Sequence, residues 1–267
     1  MRPKLTLCVI TKDEEDRIGD CLDSASFADH VVVVDSGSSD RTREIAEEKG
    51  ATVVVHDFDG HVQQKNRAVD LAETDWVLCL DADERVTPAL RDQIEEALDT
   101  ADLPVAFSMP RRTFYLGRWI DHGGWYPDRK VRVFDRRKAR WGGVNPHDRV
   151  EVDGEVRALA GDIAHYSYRS ISDHLKQIDF FTTISAKEKL AAGMKPRLWR
   201  LLLHPVGKVL RMYFLKLGFL DGRAGFIVAV LGGTYVFLKY AKHWELSRRP
   251  AQDSAPDHAR DHARDHD

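Results

Sequence analysis

Trp76-Val77-Leu78-Cys79-Leu80-Asp81-Ala82-Asp83 is an unbroken apolar run that stops at two carboxylates one residue apart. Five apolar residues without polar alternation are the pattern of a strand covered on both faces, the usual state inside a parallel sheet. Upstream the pattern recurs. Leu5 to Thr11 and the β-branched Val31-Val32-Val33-Val34-Asp35 read as strands, and Ala51 to His56 as a third. Between them lie helical spacings: Asp13 to Ser26, carrying Ile18, Cys21, Leu22 and Ala25; a segment capped by Ser39 or Asp40 that runs to Lys49, with Gly50 as its stop; and Gln63 to Glu73. Thr87-Pro88 opens a further helix to about Leu98, with Pro where its missing N–H costs nothing. Strand and helix in alternation predict an α/β fold: a Rossmann-like, mostly parallel sheet with right-handed crossovers, flanked by helices.

Beyond Pro104 the rhythm changes. Strand-like stretches at Val105 to Met109 and Val131 to Phe134 are separated by glycine- and aromatic-rich loops, and are expected to extend the same sheet. Ile171 to Lys189 is again helical, through Leu175, Ile178, Phe181 and Ile184. Composition sets the outer limits. In 267 residues, 43% are apolar and 31% charged, which excludes a disordered polyelectrolyte and a polytopic membrane protein. A formal charge of -3 argues against nucleic acid as the main partner. Cys8 and Cys79 fall inside apolar strands and read as buried thiols of a reducing compartment, and the N-terminus carries no secretory h-region, so a cytoplasmic protein is expected.

Asp81 and Asp83 at a strand end offer two hard oxygen donors, which suit Mg²⁺ or Mn²⁺ completed by phosphate oxygens of a ligand. A D-x-D triplet alone is equally a solvated turn before a helix. Two other strand ends open on the same rim, Thr11-Lys12-Asp13-Glu14 and Asp35-Ser36-Gly37-Ser38-Ser39-Asp40, and ligands of such sheets bind beyond the strands' carboxyl ends. An Asp at a strand tip can accept from a base N–H or a ribose hydroxyl, while Ser38, Ser39 and Asp40 can also cap the next helix.

Together these stretches resemble the family 2 glycosyltransferases of GT-A fold. The carrying residues are Cys8-Val9-Ile10-Thr11-Lys12-Asp13-Glu14, Val33 to Thr42, Gln64-Lys65-Asn66-Arg67-Ala68 and Leu80 to Glu84, in the family's order. Residues 123 to 245 are similar to the bacterial lipopolysaccharide-core β-1,4-glucosyltransferase group, through Gly124 to Arg129, Pro146-His147-Asp148, His165 to Tyr168, Gly218 to Gly222 and Lys239 to Glu245. Two positions depart from that group: Asp13 stands where it usually has Asn, and Asp148 where it usually has Glu.

The resemblance implies that Thr11, Glu14, Asp35 and Lys65 line a nucleoside-diphosphate-sugar pocket, with Asp81 near the ribose and Asp83 on a Mg²⁺ or Mn²⁺ ion. It also implies Asp148 as the base that takes the acceptor's proton, giving inversion at the anomeric carbon. Read from the residues alone, Lys65 is an exposed helix lysine and Asp148 an ion-pair partner of Arg149. Trp125 and Tyr126 are expected to stack on an acceptor sugar, or else to pack in a loop. Arg129, Arg132, Arg136 and Arg137 could meet an anionic acceptor or form the wet face of a strand. UDP-glucose is the donor the resemblance implies, and a glycolipid or saccharide the acceptor. Two competing readings use the same rim: a haloacid-dehalogenase-like phosphohydrolase, disfavoured by Arg85 two residues after Asp83, and a non-catalytic nucleotide-binding protein.

From Lys187 to Arg249 there are 13 basic residues and three acidic ones, a net of +10. Aromatics and aliphatics interleave with them, as in an interfacial helix on anionic lipid, although an internal helical hairpin is the alternative. The longest uncharged stretch, Ala224 to Leu238, is 15 residues, fewer than the roughly 20 a spanning helix requires. The expected organisation is a catalytic domain over 1–170 (nucleotide half 1–103, acceptor half 104–170), a C-terminal basic amphipathic helical region at the cytoplasmic membrane surface over 171–249, and a disordered tail over 250–267, where Asp-His-Ala-Arg repeats.

Overall fold

The computed structural model describes residues 2–144 and 147–248. The tail at 250–267, the Asn145-Pro146 turn and the His147 side chain lie outside the described residues. The chain divides into two compact units between Arg169 and Ser170.

The first unit opens with β1 (Leu5–Thr11), α1 (Ile18–Ser24), β2 (His30–Asp35), α2 (Thr42–Glu48), β3 (Thr52–Val55), α3 (His61–Asp70) and β4 (Trp76–Asp81). β1 lies between β2 and β4, parallel to both, with Cys8 in register with Val32 and Cys79. Side chains alternate across the sheet, as period-two geometry requires. Leu7, Val9, Leu78 and Leu80 join one buried cluster with Ile18, Leu22 and Ile94, whereas Cys8, Val77 and Cys79 join another with Ala68, Phe134 and Trp141. Both faces are therefore covered, which is why these strands carry no polar alternation. Truncating a fully buried residue such as Leu78 to Ala would cost about 2–5 kcal/mol.

α1 and α2 are shorter than their apolar spacing predicts. The residues before them, Lys12–Arg17 and Ser36–Arg41, are used in loops that bond to each other. α4 (Pro88–Leu98) begins as expected: Thr87 Oγ1 accepts from Leu90 N at 3.3 Å, and Pro88 occupies the first turn.

The remaining strands are β5 (Glu84–Val86), β6 (Ala106–Tyr115), β7 (Arg118–Ile120), β8 (Asp128–Asp135), β9 (Ala139–Val144), β10 (His147–Val152), β11 (Val156–Ala158) and β12 (Ile163–His165). The main sheet runs β3-β2-β1-β4-β8-β6-β12-β5, with β7 and β11 also on β6. β8 is antiparallel to β4 and β6, so the second half extends the sheet in mixed sense. β9 and β10 form a separate antiparallel ribbon. One expectation fails here. Arg132, on β8, is neither a wet-face residue nor free to meet an acceptor, because it is 3% exposed and lies beneath the Trp141 ring, 5.4 Å away.

The second unit comprises α5 (Ile171–Ala191), α6 (Leu198–Leu210), a π-helical turn at Arg211–Leu215, a 3₁₀ turn at Gly218–Asp221 and α7 (Gly222–Leu246). Glycines bring α6 against α7: a side chain at Gly233 would meet Val209 Cγ2 at 2.5 Å and the Pro205 carbonyl at 3.2 Å. Counting uncharged residues underestimates α7, because the helix continues past Lys239 and Lys242 to Leu246. Gly218–Leu246 is long and apolar enough to cross a membrane by length and composition, with 33% of its most apolar window buried within the protein.

Candidate active site

Parallel strands β1, β2 and β4 end on one rim, carrying Thr11, Asp35 and Asp81. The loop after β1 is stitched to the loop after β2. Asp13 Oδ1 accepts from Ser39 N at 2.7 Å, Asp13 N donates to Ser38 Oγ at 2.9 Å, and Glu14 N donates to Thr42 Oγ1 at 2.8 Å. Asp13 sits at φ 51°, the left-handed region that Asn and Asp tolerate best among non-glycine residues, so Asp in place of Asn keeps this loop. Asp35 is fully buried; its carboxylate accepts from Gly37 N at 3.0 Å, Ser38 N at 2.8 Å and Ser38 Oγ. Thr11 Oγ1 is buried with no hydrogen-bond partner.

Lys65, on the first half of α3, is buried, not the exposed lysine of the residue-level reading. Its Nζ lies 2.9 Å from Asp81 Oδ1 and 2.8 Å from Asp148 Oδ2, over the Trp141 ring at 4.4 Å. The flanking motif residues explain how it is held. Gln64 Nε2 donates to Ser36 Oγ and the His56 carbonyl, both at 3.0 Å. Asn66 grips the ribbon, its Nδ2 donating to Trp141 O at 2.8 Å while its Oδ1 accepts from Trp141 N at 3.1 Å. Asp148 is thereby carried on β10 to Lys65. Its neighbour Arg149 points the other way, as strand alternation demands, and pairs with Glu151 at 3.2 Å.

Asp81 is held from both sides. Arg132 Nη2 lies 2.9 Å from its Oδ2 and 2.6 Å from Glu84 Oε1, and Arg111 Nη1 adds a contact to Glu84 at 3.2 Å. Glu84 is fully buried and accepts from Asp81 N at 3.1 Å. Burial opposes charge on Asp81, but Lys65 and then Arg132 outweigh it and hold the carboxyl well below the usual carboxylate range. Burial likewise opposes charge on Lys65, and Asp81 with Asp148 keep it an ammonium. Sequence reasoning missed Arg111, quoted Glu84 only as part of a motif and read Arg132 as a wet-face or acceptor residue; their mutual packing is a long-range contact that no local spacing carries.

Asp83 faces a different set. Its Oδ2 is 3.3 Å from His165 Nε2 and 3.8 Å from Arg17 Nη1, and Arg17 also lies 3.7 Å from Glu14. Tyr166 N donates to the Asp83 carbonyl at 2.9 Å, which fixes β12 beside the turn. Burial raises the Glu14 carboxyl, with Arg17 opposing. Among the described residues no three His, Cys, Asp or Glu side chains converge as a ready metal cage. Asp83 Oδ2 and His165 Nε2 are an oxygen and a nitrogen donor 3.3 Å apart, a pair that would suit a divalent cation such as Mg²⁺ or Mn²⁺. His165 was quoted in the sequence only as part of a motif.

Trp125 and Tyr126 part company. Trp125 stacks on buried Tyr115, with centroids 5.9 Å apart, and leans on Tyr168 at 6.1 Å. Tyr126 donates its hydroxyl to Asp162 at 3.0 Å. Tyr115 is on the face of β6 that also carries Arg111 and Thr113, whose Oγ1 lies 3.3 Å from His165 Nδ1. A cavity of about 370 Å³ lies away from this chemistry, near the strands' amino ends, lined by Asp29, His30, Lys49 and Glu73 among others.

The model for glycosyl transferase family 2 matches residues 6–151. The lipopolysaccharide core biosynthesis glycosyltransferase LpsC of Rhizobium meliloti is 29% identical over 96% of this chain and 99% of that protein. The uncharacterized glycosyltransferase RT0209 of Rickettsia typhi is 31% identical over 91% of this chain and 88% of its own length. Among solved structures, the mannosyltransferase PcManGT from Pyrobaculum calidifontis, in complex with GDP-Man and Mn²⁺, is similar in fold, with a TM-score of 0.53 and 15% identity, covering 92% of this chain and 88% of that one. A rim of carboxylates and cations on a Rossmann-like sheet, matched by a family model over more than half of the chain, places this protein in glycosyl transferase family 2, as a glycosyltransferase of GT-A fold.

Proposed function

We propose that the protein moves a hexose, glucose in the first instance, from a UDP-sugar to a hydroxyl of a cell-envelope glycolipid or polysaccharide, with inversion at the anomeric carbon. The observation that carries the reading is the Lys65 bridge, which joins the rim carboxylate Asp81 to the carboxylate Asp148 contributed by a separate ribbon. In this reading Thr11, Glu14, Asp35, Lys65 and Asp81 bind the nucleotide-sugar. Asp81, kept ionised by two cations, accepts from ribose hydroxyls. Asp148 takes the proton of the attacking hydroxyl at its carboxylate oxygen, and a single base opposite the leaving diphosphate gives in-line displacement. Lys65 is a cation at the point where diphosphate charge develops, so that donor binding competes for the ammonium and releases Asp148 to the acceptor.

Asp83, with His165, is proposed to hold Mg²⁺ or Mn²⁺, which when bound supplies Lewis-acid stabilisation to the departing diphosphate. PcManGT is described with Mn²⁺ and a nucleotide sugar, which supports that assignment. Trp125, backed by Tyr115, offers an aromatic face for an acceptor ring; Tyr126 is the second proposed acceptor contact. Similarity to LpsC, a lipopolysaccharide core biosynthesis glycosyltransferase, supports an envelope acceptor. The basic second unit supports peripheral work at the cytoplasmic membrane surface.

Incubation with a panel of nucleotide-sugars and Mn²⁺, scored for nucleoside diphosphate release, tests the donor. Asp148→Asn is expected to lower turnover by about 10²–10⁴-fold while nucleotide-sugar binding survives, and Asp148→Glu to retain part of the activity. Undiminished turnover in Asp148→Asn would remove the base from this scheme.

A further inference from the structure

We propose that the protein seats on anionic bilayers through the outward face of α6 and the turn that follows it. This rests on the peripheral association proposed above and names the surface that makes it. No residue of α6 is buried. Leu202, Leu203, Val206 and Leu210 recur at three- and four-residue intervals, so they share one stripe, and all are at least half exposed. Leu215, at the end of the π-helical turn, is 78% exposed. The stripe is not the face that packs on the protein, because that role belongs to Pro205 and Val209, which meet Gly233 of α7. An apolar helix with one side already packed and the other still apolar is not finished by water.

Charge selects the occupant. Between Lys195 and Arg223 there are seven lysines and arginines, and the only acidic residue among them, Asp221, is 1% exposed. The accessible charge of this segment is therefore entirely positive. A second copy of the chain would bring two such sets together in repulsion, whereas a bilayer of anionic lipid satisfies both the stripe and the cations. Arg200 and Lys208 of α6, with Arg197 and Arg211 at its two ends, fall by helical spacing on the side away from the stripe, the arrangement of a helix lying in the plane of the interface. Trp199 borders the stripe and Tyr213 carries it on to Phe226 of α7, with ring centroids 5.7 Å apart. These amphipathic aromatics suit the headgroup level.

The full chain is to be sedimented with phosphatidylcholine vesicles, with and without phosphatidylglycerol. Binding is expected only with phosphatidylglycerol, falling as salt rises, and the exposed double change Leu202→Gln/Val206→Gln is expected to weaken it by about tenfold or more. Arg200→Gln/Lys208→Gln is expected to weaken it as well. Nucleotide-sugar binding should be unchanged in both variants, which shows that they fold and separates this proposal from the assignment of the catalytic rim. Wild-type protein that ignores all vesicles overturns the peripheral association itself. Equal binding by the Leu202→Gln/Val206→Gln variant overturns the α6 seat alone. Two results also overturn it by giving the face another occupant: self-association in solution abolished by the same variant, or resistance of the native membrane-bound protein to alkaline carbonate, which marks a spanning α7.

Discussion

The Lys65 ammonium and the Asp148 carboxylate lie 2.8 Å apart, although 83 residues separate them in the chain and they belong to different elements, α3 and β10. The same Nζ reaches Asp81 at 2.9 Å, so one cation links the sheet rim to the ribbon. Lys65→Met leaves two partly buried carboxylates facing each other without it. Turnover should fall by about 100-fold or more. Lys65→Arg should not restore it, because a planar guanidinium cannot occupy the place of a compact ammonium. Steady-state kinetics on both variants check this; wild-type rates in Lys65→Met would reduce the bridge to packing.

Glu84 carries no solvent exposure and faces two arginines, Arg132 at 2.6 Å and Arg111 at 3.2 Å. Glu84→Gln keeps the shape but leaves buried cations uncompensated. Such a change typically costs about 3–5 kcal/mol, and in a protein of this size each kcal/mol lowers Tm by about 2–4 °C. A thermal melt of the variant should therefore show a large drop, and a Tm within a degree or so of wild type would mean that Asp81 alone holds Arg132.

Glu14 and Asp81 respond to pH in opposite senses. Burial raises the Glu14 carboxyl above its unfolded value, so its contribution to stability is full at acid pH and is lost as pH rises through the folded value. Glu14→Gln, fixed in the neutral form, should therefore raise Tm at neutral pH, with the gain vanishing on acidification. Asp81 is held below its unfolded value; its contribution is full above that unfolded value and is lost as pH falls toward the folded one. Melts of wild type, Glu14→Gln and Lys65→Met between neutral pH and about pH 3 separate the two: Lys65→Met should lose less stability on acidification than wild type.

Asn66 touches neither rim carboxylate, yet it holds both backbone groups of Trp141 at 2.8 and 3.1 Å. Asn66→Ala frees the ribbon that presents Asp148. The expected result is a lower kcat with donor affinity little changed. Asn66→Asp, which keeps the acceptor but not the amide donor, should fall between. An equal loss in kcat and in donor binding would show that the whole of α3 had moved.

The sequence made the first, parallel half of the sheet legible, and for a plain reason. Leu5 to Thr11, Val31 to Asp35 and Trp76 to Leu80 are buried on both faces, so their apolar character is continuous and independent of what they pack against. Helix starts were less legible where polar residues cap or bridge loops instead: Asp13 and Ser39 bond across 26 positions in sequence, a contact that no local spacing encodes. In the second unit, the run of uncharged residues stopped at Lys239, whereas the backbone hydrogen bonds of α7 do not.

By itself, then, the chain determined the alternation of strands and helices, the strand tips that carry Asp35 and Asp81 with Asp83 just beyond, and the concentration of positive charge toward one end. Only tertiary structure decided which charges are buried together. Arg132 alternates with Val131 and Val133 as a wet-face arginine would, and Lys65 sits on a helix like many solvated lysines. The Trp141 ribbon folded over them turns both into buried counter-ions. Periodicity reports which face of an element a side chain occupies, while long-range packing settles whether that face meets water or an opposite charge.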